Sequence, residues 1–384
     1  MTISIFQLLS LFILLLLQTF NISNSQSSPE ICNQHDKKFL LRIKNILGNP
    51  SSLSSWDPNT DCVMWKDIQC NNEQGHVTSI SFIEAHDIQG PIPPLLDQLP
   101  YLSGLYFSDV PNLSGPIPSY IGRMTNLTSF FISGTKVNGP IPRFLSRLTK
   151  VNQLALSFSK FSGPVPSFLG RLKGLTFLCL ASNDLTGQIP TTFGQLTNLN
   201  FLRLSSNKIT GPIPVFLAKL KNLNTIDFEY NSLTGPIPQY FGHMRNLTTL
   251  SLSNNLLTGP IPKSLGRNNL VMIKLAHNKL TGDASFLFDK ANTAIIDVHI
   301  DNNQFKFDFS NVDLGRSLAG FNISHNMIYG SLPKRFGTLS VDSVDVRYNK
   351  LCGPIPNGRR FKRVDPVVFS HNKCLCGGPL PGCK

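Results

Sequence analysis

Charge is scarce in this 384-residue sequence, where Asp, Glu, Lys and Arg together make up 15% of the chain. Acidic side chains are the scarcer sign, 22 against 35 basic, and the net charge is +13. With 41% of residues hydrophobic, so little charge excludes a disordered chain, and Gly 28 plus Pro 27 are too few for low complexity. The G-x-S-x-G elbow, the H-E-x-x-H zinc motif and the P-loop are all missing, which removes the familiar routes to catalysis. Cysteine is nearly absent from the middle: only Cys179 lies between Cys32, Cys62 and Cys70 at one end and Cys352, Cys374, Cys376 and Cys383 at the other. Without a C-x-x-C pair this set predicts disulfide-stapled caps and no metal. The one long apolar run, Ile5 to Leu17, is shorter than the ~20 residues of a membrane span. Followed by Ser23 and Ser25, and despite an n-region without Lys or Arg, it reads as a signal peptide over residues 1–25. The expectation is an exported chain without a transmembrane anchor, in which Asn112, Asn126, Asn246 and Asn322 are acceptors for N-glycans.

What the chain has in abundance is a period. Ile80, Leu105, Phe130, Leu154, Leu178, Leu202, Ile226, Leu250, Ile273, Val298, Phe321 and Val344 each open an L-x-L pattern, spaced 23 to 25 residues apart. Leu199 to Pro214 spells L-x-x-L-x-L-x-x-N-x-L-x-G-x-I-P, the plant-type leucine-rich repeat. Alternation along each strand sends the L-x-L side chains inward and their neighbours outward. About 12 stacked repeats therefore predict an α/β solenoid, a right-handed superhelix with a parallel, concave β-sheet. Asn183, Asn207, Asn231, Asn255, Asn278, Asn303, Asn326 and Asn349 follow the strands, where an inward amide can bond backbone groups left unpaired by the turn. Thr135 and Ser159 replace this Asn in two repeats, which predicts a weaker ladder there.

A stacked core must be closed at both ends. Residues 26–76 read as the first cap, with a helix over Asn33 to Leu47 that opens on an Asn N-cap and stops at Gly48 and Pro50, accompanied by Trp56 and Trp65. Residues 77–356 hold the repeats, and 357–384 the Cys-rich second cap. One solenoid with two caps accounts for the whole chain.

Repeat and caps together resemble the plant polygalacturonase-inhibiting proteins. The resemblance rests on Asp36 to Lys44, Ser55-Trp56 through Asp61-Cys62, Leu99-Pro-Tyr-Leu102 with Pro111-Asn-Leu-Ser-Gly115, Asn278 to Ser285, and Cys374-Leu-Cys-Gly-Gly-Pro-Leu-Pro-Gly-Cys-Lys384. It implies an extracellular plant cell-wall defence protein that binds and inhibits fungal pectinases on its concave face, with no enzymatic activity and no cofactor. Members usually have about ten repeats, so twelve strands imply a face lengthened by about two repeats of 24 residues. The family pairing, carried over, implies Cys32–Cys62, Cys352–Cys374 and Cys376–Cys383. The family has a second cysteine where Val63 stands here, so Cys70 lacks its partner, and Cys62–Cys70 is a competing choice.

Outward positions are where packing does not choose the residue. Tyr106, Phe131, Phe177, Phe201 and Met272 place large apolar groups there, as interface anchors do. Arg203, Asp227, Glu229, Lys274 and His299 add charge, with Asp297, Asp301, Asp345 and Arg347 beyond them. His299 between Asp297 and Asp301 is the nearest approach to a catalytic or metal cluster, and strand neighbours of this kind are ordinary on a repeat face. Between Ser119 and Asn269 the segments after the I-P turns carry Arg143, Arg147, Lys150, Arg171, Lys173, Lys219 and Lys221 with no acid among them, a basic flank suited to a pectin-like polyanion. Nucleic acid is not an expected partner of an exported chain. The alternatives are a non-inhibitory recognition partner of a receptor or peptide, and an ice-binding protein, for which the outward residues are too irregular.

Overall fold

The computed structural model describes residues 31–383 except 72, 292–293, 340–342 and 359–363. The signal peptide read over residues 1–25 lies outside the described residues. The chain forms two compact units, one ending at Phe161 and the other beginning at Ser162.

The first unit opens with helix α1, Gln34–Ile46. The Asn33 side chain accepts from the backbone N–H groups of His35 and Asp36, satisfying two donors that a helix start leaves without partners. Asp36 is fully buried and turns back to accept from Val77 N at 2.9 Å, with His76 Nδ1 at 3.0 Å, which ties the helix start to the first strand of the stack. Leu40 and Ile43 face the core, and Trp56 stacks on Trp65 at 5.7 Å and meets Phe82, so the cap ends in an aromatic layer. Four parallel strands follow, Val77–Ile83, Gly104–Gly115, Ser129–Pro140 and Gln153–Ser157, held in register by Ile80↔Leu105, Leu105↔Phe130 and Phe130↔Leu154.

The second unit continues the pattern with eight strands, Phe177–Cys179, Phe201–Arg203, Thr225–Asp227, Thr249–Ser251, Met272–Lys274, Asp297–His299, Gly320–Asn322 and Ser343–Asp345. Each is parallel to the next. The first apolar residue of every L-x-L is buried in both units, Val344 being the most exposed at 8%. The return segments are short 3₁₀ turns such as Arg143–Arg147, Ser167–Arg171 and Val215–Lys219, each following a proline whose fixed φ starts the turn. Among the described residues the α-helix belongs to the cap.

The asparagine ladder takes the predicted form. Asn207 Nδ2 donates to the carbonyls of Leu180, Leu204 and Ser205, and its Oδ1 accepts from Leu185 N. Asn231, Asn255, Asn278, Asn303, Asn326 and Asn349 repeat this, and Asn372 in the second cap adds a rung that the sequence reading did not include. At the two substituted rungs a hydroxyl pair takes over: Thr135 Oγ1 and Ser159 Oγ lie 2.8 Å apart. The second cap adds the strand Cys374–Cys376, which pairs in parallel with Lys350–Pro354 of the last repeat, itself parallel to Tyr329–Gly330. The structure joins Cys352 to Cys374, Cys376 to Cys383 and, in the first cap, Cys32 to Cys62.

Candidate protein-binding face

In both units the outward residues fall into columns set by the strand register, and the residue beside each position decides what an outward side chain does. In the first unit the columns read Ser79, Gly104, Ser129 and Gln153, then Ser81, Tyr106, Phe131 and Ala155. These small neighbours overturn part of the sequence reading. Tyr106 is 9% exposed and Phe131 1%, so neither is an exposed anchor. The Tyr106 ring lies over Gly104, where a β-carbon would come within 2.8 Å of it, and meets Phe131 edge-on at 5.2 Å. Burial pushes the Tyr106 phenol above its ordinary value, against a lowering hydrogen bond with Ser129. The alternation placed these rings on the correct side of the sheet, but serine and glycine leave room for them to lie flat.

In the second unit the aromatic pair stays accessible. Phe177 and Phe201 are register partners, stack at 4.6 Å with planes 8° apart, and are half-buried. Thr225, Thr249 and the half-buried Met272 continue their column. The column beside it carries Arg203 and Asp227, paired at 2.8 Å between Nε and Oδ2. Ser205 lies between them, accepting from Arg203 at 3.0 Å and donating to Asp227 at 2.9 Å. The other Asp227 oxygen accepts from Glu229 N, which locks the pair to the backbone. Burial holds the Glu229 carboxyl above the usual range and Asp227 adds to the shift, while Lys274, Ser253 and Arg203 oppose it. The result is a half-buried charge network beside a stacked aromatic pair, with most of its orientation fixed in advance of any partner.

Farther along, His299 Nε2 sits 3.0 Å from Asp297. Asp301 turns to other partners, Asn302 Nδ2 at 2.9 Å and His277 Nε2 at 3.6 Å. The three residues do not converge, so this cluster is two separate pairs. Arg347 Nε pairs with Asp345 at 3.0 Å, and Asn322, one of the sequon asparagines, stands on this same face between the register positions of His299 and Asp345. Asn112, Asn126 and Asn246 are exposed on other segments.

Sequence reasoning missed one feature beside the face. His325, Tyr348 and His371 stack in a column of exposed rings at 4.2 and 4.1 Å. All three have left-handed backbone, with φ of 53° to 55°. Each directly precedes a ladder asparagine, and that offset was the available signal.

The basic residues lie away from the strands. Arg143 and Arg147 in the first unit and Arg171 and Lys219 in the second belong to 3₁₀ turns, and Lys150, Lys173 and Lys221 follow such turns. All seven are exposed, and among the described residues none is in an ion pair. Lys150 donates to Asn126 Oδ1 at 2.7 Å. In the second unit a cleft of ≈ 460 Å³ is lined by His243, Arg245, Arg267, Asn268 and Asn269. It lies where the repeat is one residue short and buried Asn268 follows the turn in place of the usual apolar residue. No helix among the described residues is long and apolar enough to cross a membrane.

Stacked L-x-L strands, a hydrogen-bonded asparagine ladder and disulfide-closed caps define a leucine-rich repeat protein. Family models agree: the Leucine rich repeat N-terminal domain matches residues 33–71, and the Leucine Rich Repeat matches 174–196, 198–220, 222–244 and 246–268. Polygalacturonase inhibitor 2 of Arabidopsis thaliana is 44% identical over 96% of this chain and 98% of its own length. Polygalacturonase inhibitor of Vitis vinifera is 42% identical over 100% and 99%. The chain belongs to the polygalacturonase inhibitor family. Among solved structures, a plant ice-binding protein is 34% identical with a TM-score of 0.56, covering 92% of this chain and 99% of that one. The ectodomain of the Arabidopsis receptor kinase HAESA, in complex with a peptide hormone, is 28% identical with a TM-score of 0.71, covering 84% of this chain and 58% of that one.

Proposed function

We propose that this protein is a secreted, non-enzymatic inhibitor of fungal polygalacturonase in the plant cell wall, and that it docks the enzyme on the outward face of its second unit. The supporting observation is the Phe177–Phe201 stack beside the Arg203–Asp227–Glu229–Lys274 network, on a chain whose relatives carry inhibitor names along their whole length. Stacked rings offer rigid apolar area at little entropic cost, and a charge network already desolvated in part can discriminate between partners. Tyr106 and Phe131 contribute to the fold and not to docking. The exposed cations on the 3₁₀ turns serve the polyanionic pectin around the enzyme, in a salt-dependent manner. A glycan on Asn322 would cover its part of the face, which places the docking region toward Phe177.

The test is stoichiometric inhibition of a purified fungal endopolygalacturonase by the full chain and by a Phe177→Ala, Arg203→Ala double variant. Inhibition by the parent that falls at least tenfold in the variant supports the reading. No inhibition by either protein across a panel of such enzymes overturns the function, and equal inhibition by both overturns the face.

A second reading, recognition of a peptide, is favoured by the likeness to the peptide-bound HAESA ectodomain. Capture of a peptide without enzyme inhibition would select it. Ice binding is disfavoured by the face itself, whose column of Phe177, Phe201, Thr225, Thr249, Met272 and Asp297 lacks a repeating polar lattice.

A further inference from the structure

The first cap holds one sulfur more than a disulfide uses. Cys32 and Cys62 are bonded and buried, and Cys70 is a half-buried free thiol. The sulfur atoms of all three lie within 4.8 Å of one another. The frame around them is fixed from independent directions. Cys62 begins the 3₁₀ turn Cys62–Met64, which is closed by the Asp61 side chain on Val63 N. Cys70 ends the strand Ile68–Cys70, which pairs antiparallel with Val77–Ile83. Cys32 precedes α1, and its N–H donates to Asp61 Oδ1 at 2.9 Å.

We propose that Cys32, Cys62 and Cys70 form an internal disulfide-exchange site in which Cys62 is the shared sulfur. The Cys70 thiolate attacks Cys62 Sγ, the Cys62–Cys70 bond forms as Cys32–Cys62 breaks, and Cys32 leaves as a thiolate that takes up the proton Cys70 gave to solvent. One disulfide and one thiol stand on each side of the step, so no outside oxidant or reductant is required. Cys62 is the shared sulfur because it and Cys70 both belong to the turn-and-strand frame of the cap, whereas Cys32 lies ahead of the helix. The product ties Cys62 to a residue eight positions away instead of one thirty positions away, and releases the segment before α1 from its covalent anchor. The helix start would then be held by Asn33 and by the Asp36 contacts with His76 and Val77.

The surroundings set the rate. Burial first, and then the carboxylates of Asp36 and Asp61, push the Cys70 thiol up to about 12. The attacking species is the thiolate, so exchange is slow near neutrality and accelerates about tenfold per pH unit below that value.

The experiment uses the full-length protein without added thiol, held at pH 7, 8.5 and 10, quenched with acid, and labelled with N-ethylmaleimide before peptide mapping. Circular dichroism at each pH verifies that the chain stays folded. The expected result is label moving from Cys70 to Cys32, faster at each higher pH and at a rate independent of protein concentration. Cys70→Ser should keep Cys32–Cys62 alone, and Cys32→Ser should fold with Cys62–Cys70 closed. Label that remains on Cys70 at pH 10 overturns the proposal. So do a rate that rises with protein concentration, label appearing only on Cys62, or a Cys32→Ser protein that folds with both remaining thiols free.

Discussion

Replacing Asn255 tests whether the ladder is an energetic element or merely a sequence habit. Its side chain is buried, donates to the carbonyls of Phe228, Leu252 and Ser253 at 3.0, 3.1 and 3.2 Å, and accepts from Leu233 N at 2.9 Å. Asn255→Ala deletes four hydrogen bonds at once in a place water does not reach. At a net value of about 1 kcal/mol each, with an added cost for buried groups left unpaired, the loss is about 3–5 kcal/mol. Asn255→Asp separates hydrogen bonding from shape. It keeps the outline but turns a carboxylate oxygen toward three carbonyls, so it should destabilise at least as much as alanine at pH 7 and recover partly as acid protonates it. Urea unfolding monitored by tryptophan fluorescence and by far-ultraviolet circular dichroism gives both values, since Trp56 and Trp65 report only on the first cap. A loss below about 1 kcal/mol for alanine, or an aspartate variant as stable as the parent at pH 7, would refute the hydrogen-bond account.

Two further outcomes follow from the face. Glu229 carries a carboxyl held above its ordinary range, so its ionised form opposes folding: the cost is absent below the unfolded value of about 4.3 and appears as pH rises through the folded value. Glu229→Gln should therefore gain stability relative to the parent between pH 4 and pH 7 in thermal unfolding, and a difference that shrinks over that range would contradict the assignment. Phe131→Ala should cost about 3–5 kcal/mol in urea unfolding as a buried aromatic truncation, and the half-buried Phe201→Ala about 1–2 kcal/mol. Equal losses would mean that the two rings share one environment.

The stack was legible because its signal repeats. Each L-x-L gave an inward pair with period two, and the same spacing recurs through both units, so an error in one copy is corrected by its neighbours. The ladder read equally well as far as Asn349. Asn372 escaped because the motif changes around it: in Asn372-Lys-Cys-Leu-Cys-Gly377 the leucine and glycine positions of N-x-L-x-G are Cys374 and Cys376. Its bonds to Val346, Phe369 and Ser370 show that the backbone geometry continues when the composition does not. The face was less legible. Alternation fixes the direction of a side chain, but its exposure depends on residues about 24 positions away in adjacent repeats.

That dependence also bears on why one aromatic pair is buried and the other half-buried. Tyr106 and Phe131, register partners in the first unit, stand between the two apolar residues of their L-x-L patterns, whereas Phe177 and Phe201, register partners in the second, stand just before theirs. Around the first pair stand Ser79, Ser81, Gly104, Ser129 and Ala155, all small, with Gln153 held by Ser129, and the rings meet edge to face over Gly104. Beside the second pair the next column presents Arg203, an ion-paired side chain whose position is fixed by Ser205 and Asp227. The phenylalanines stack on each other and remain half-buried.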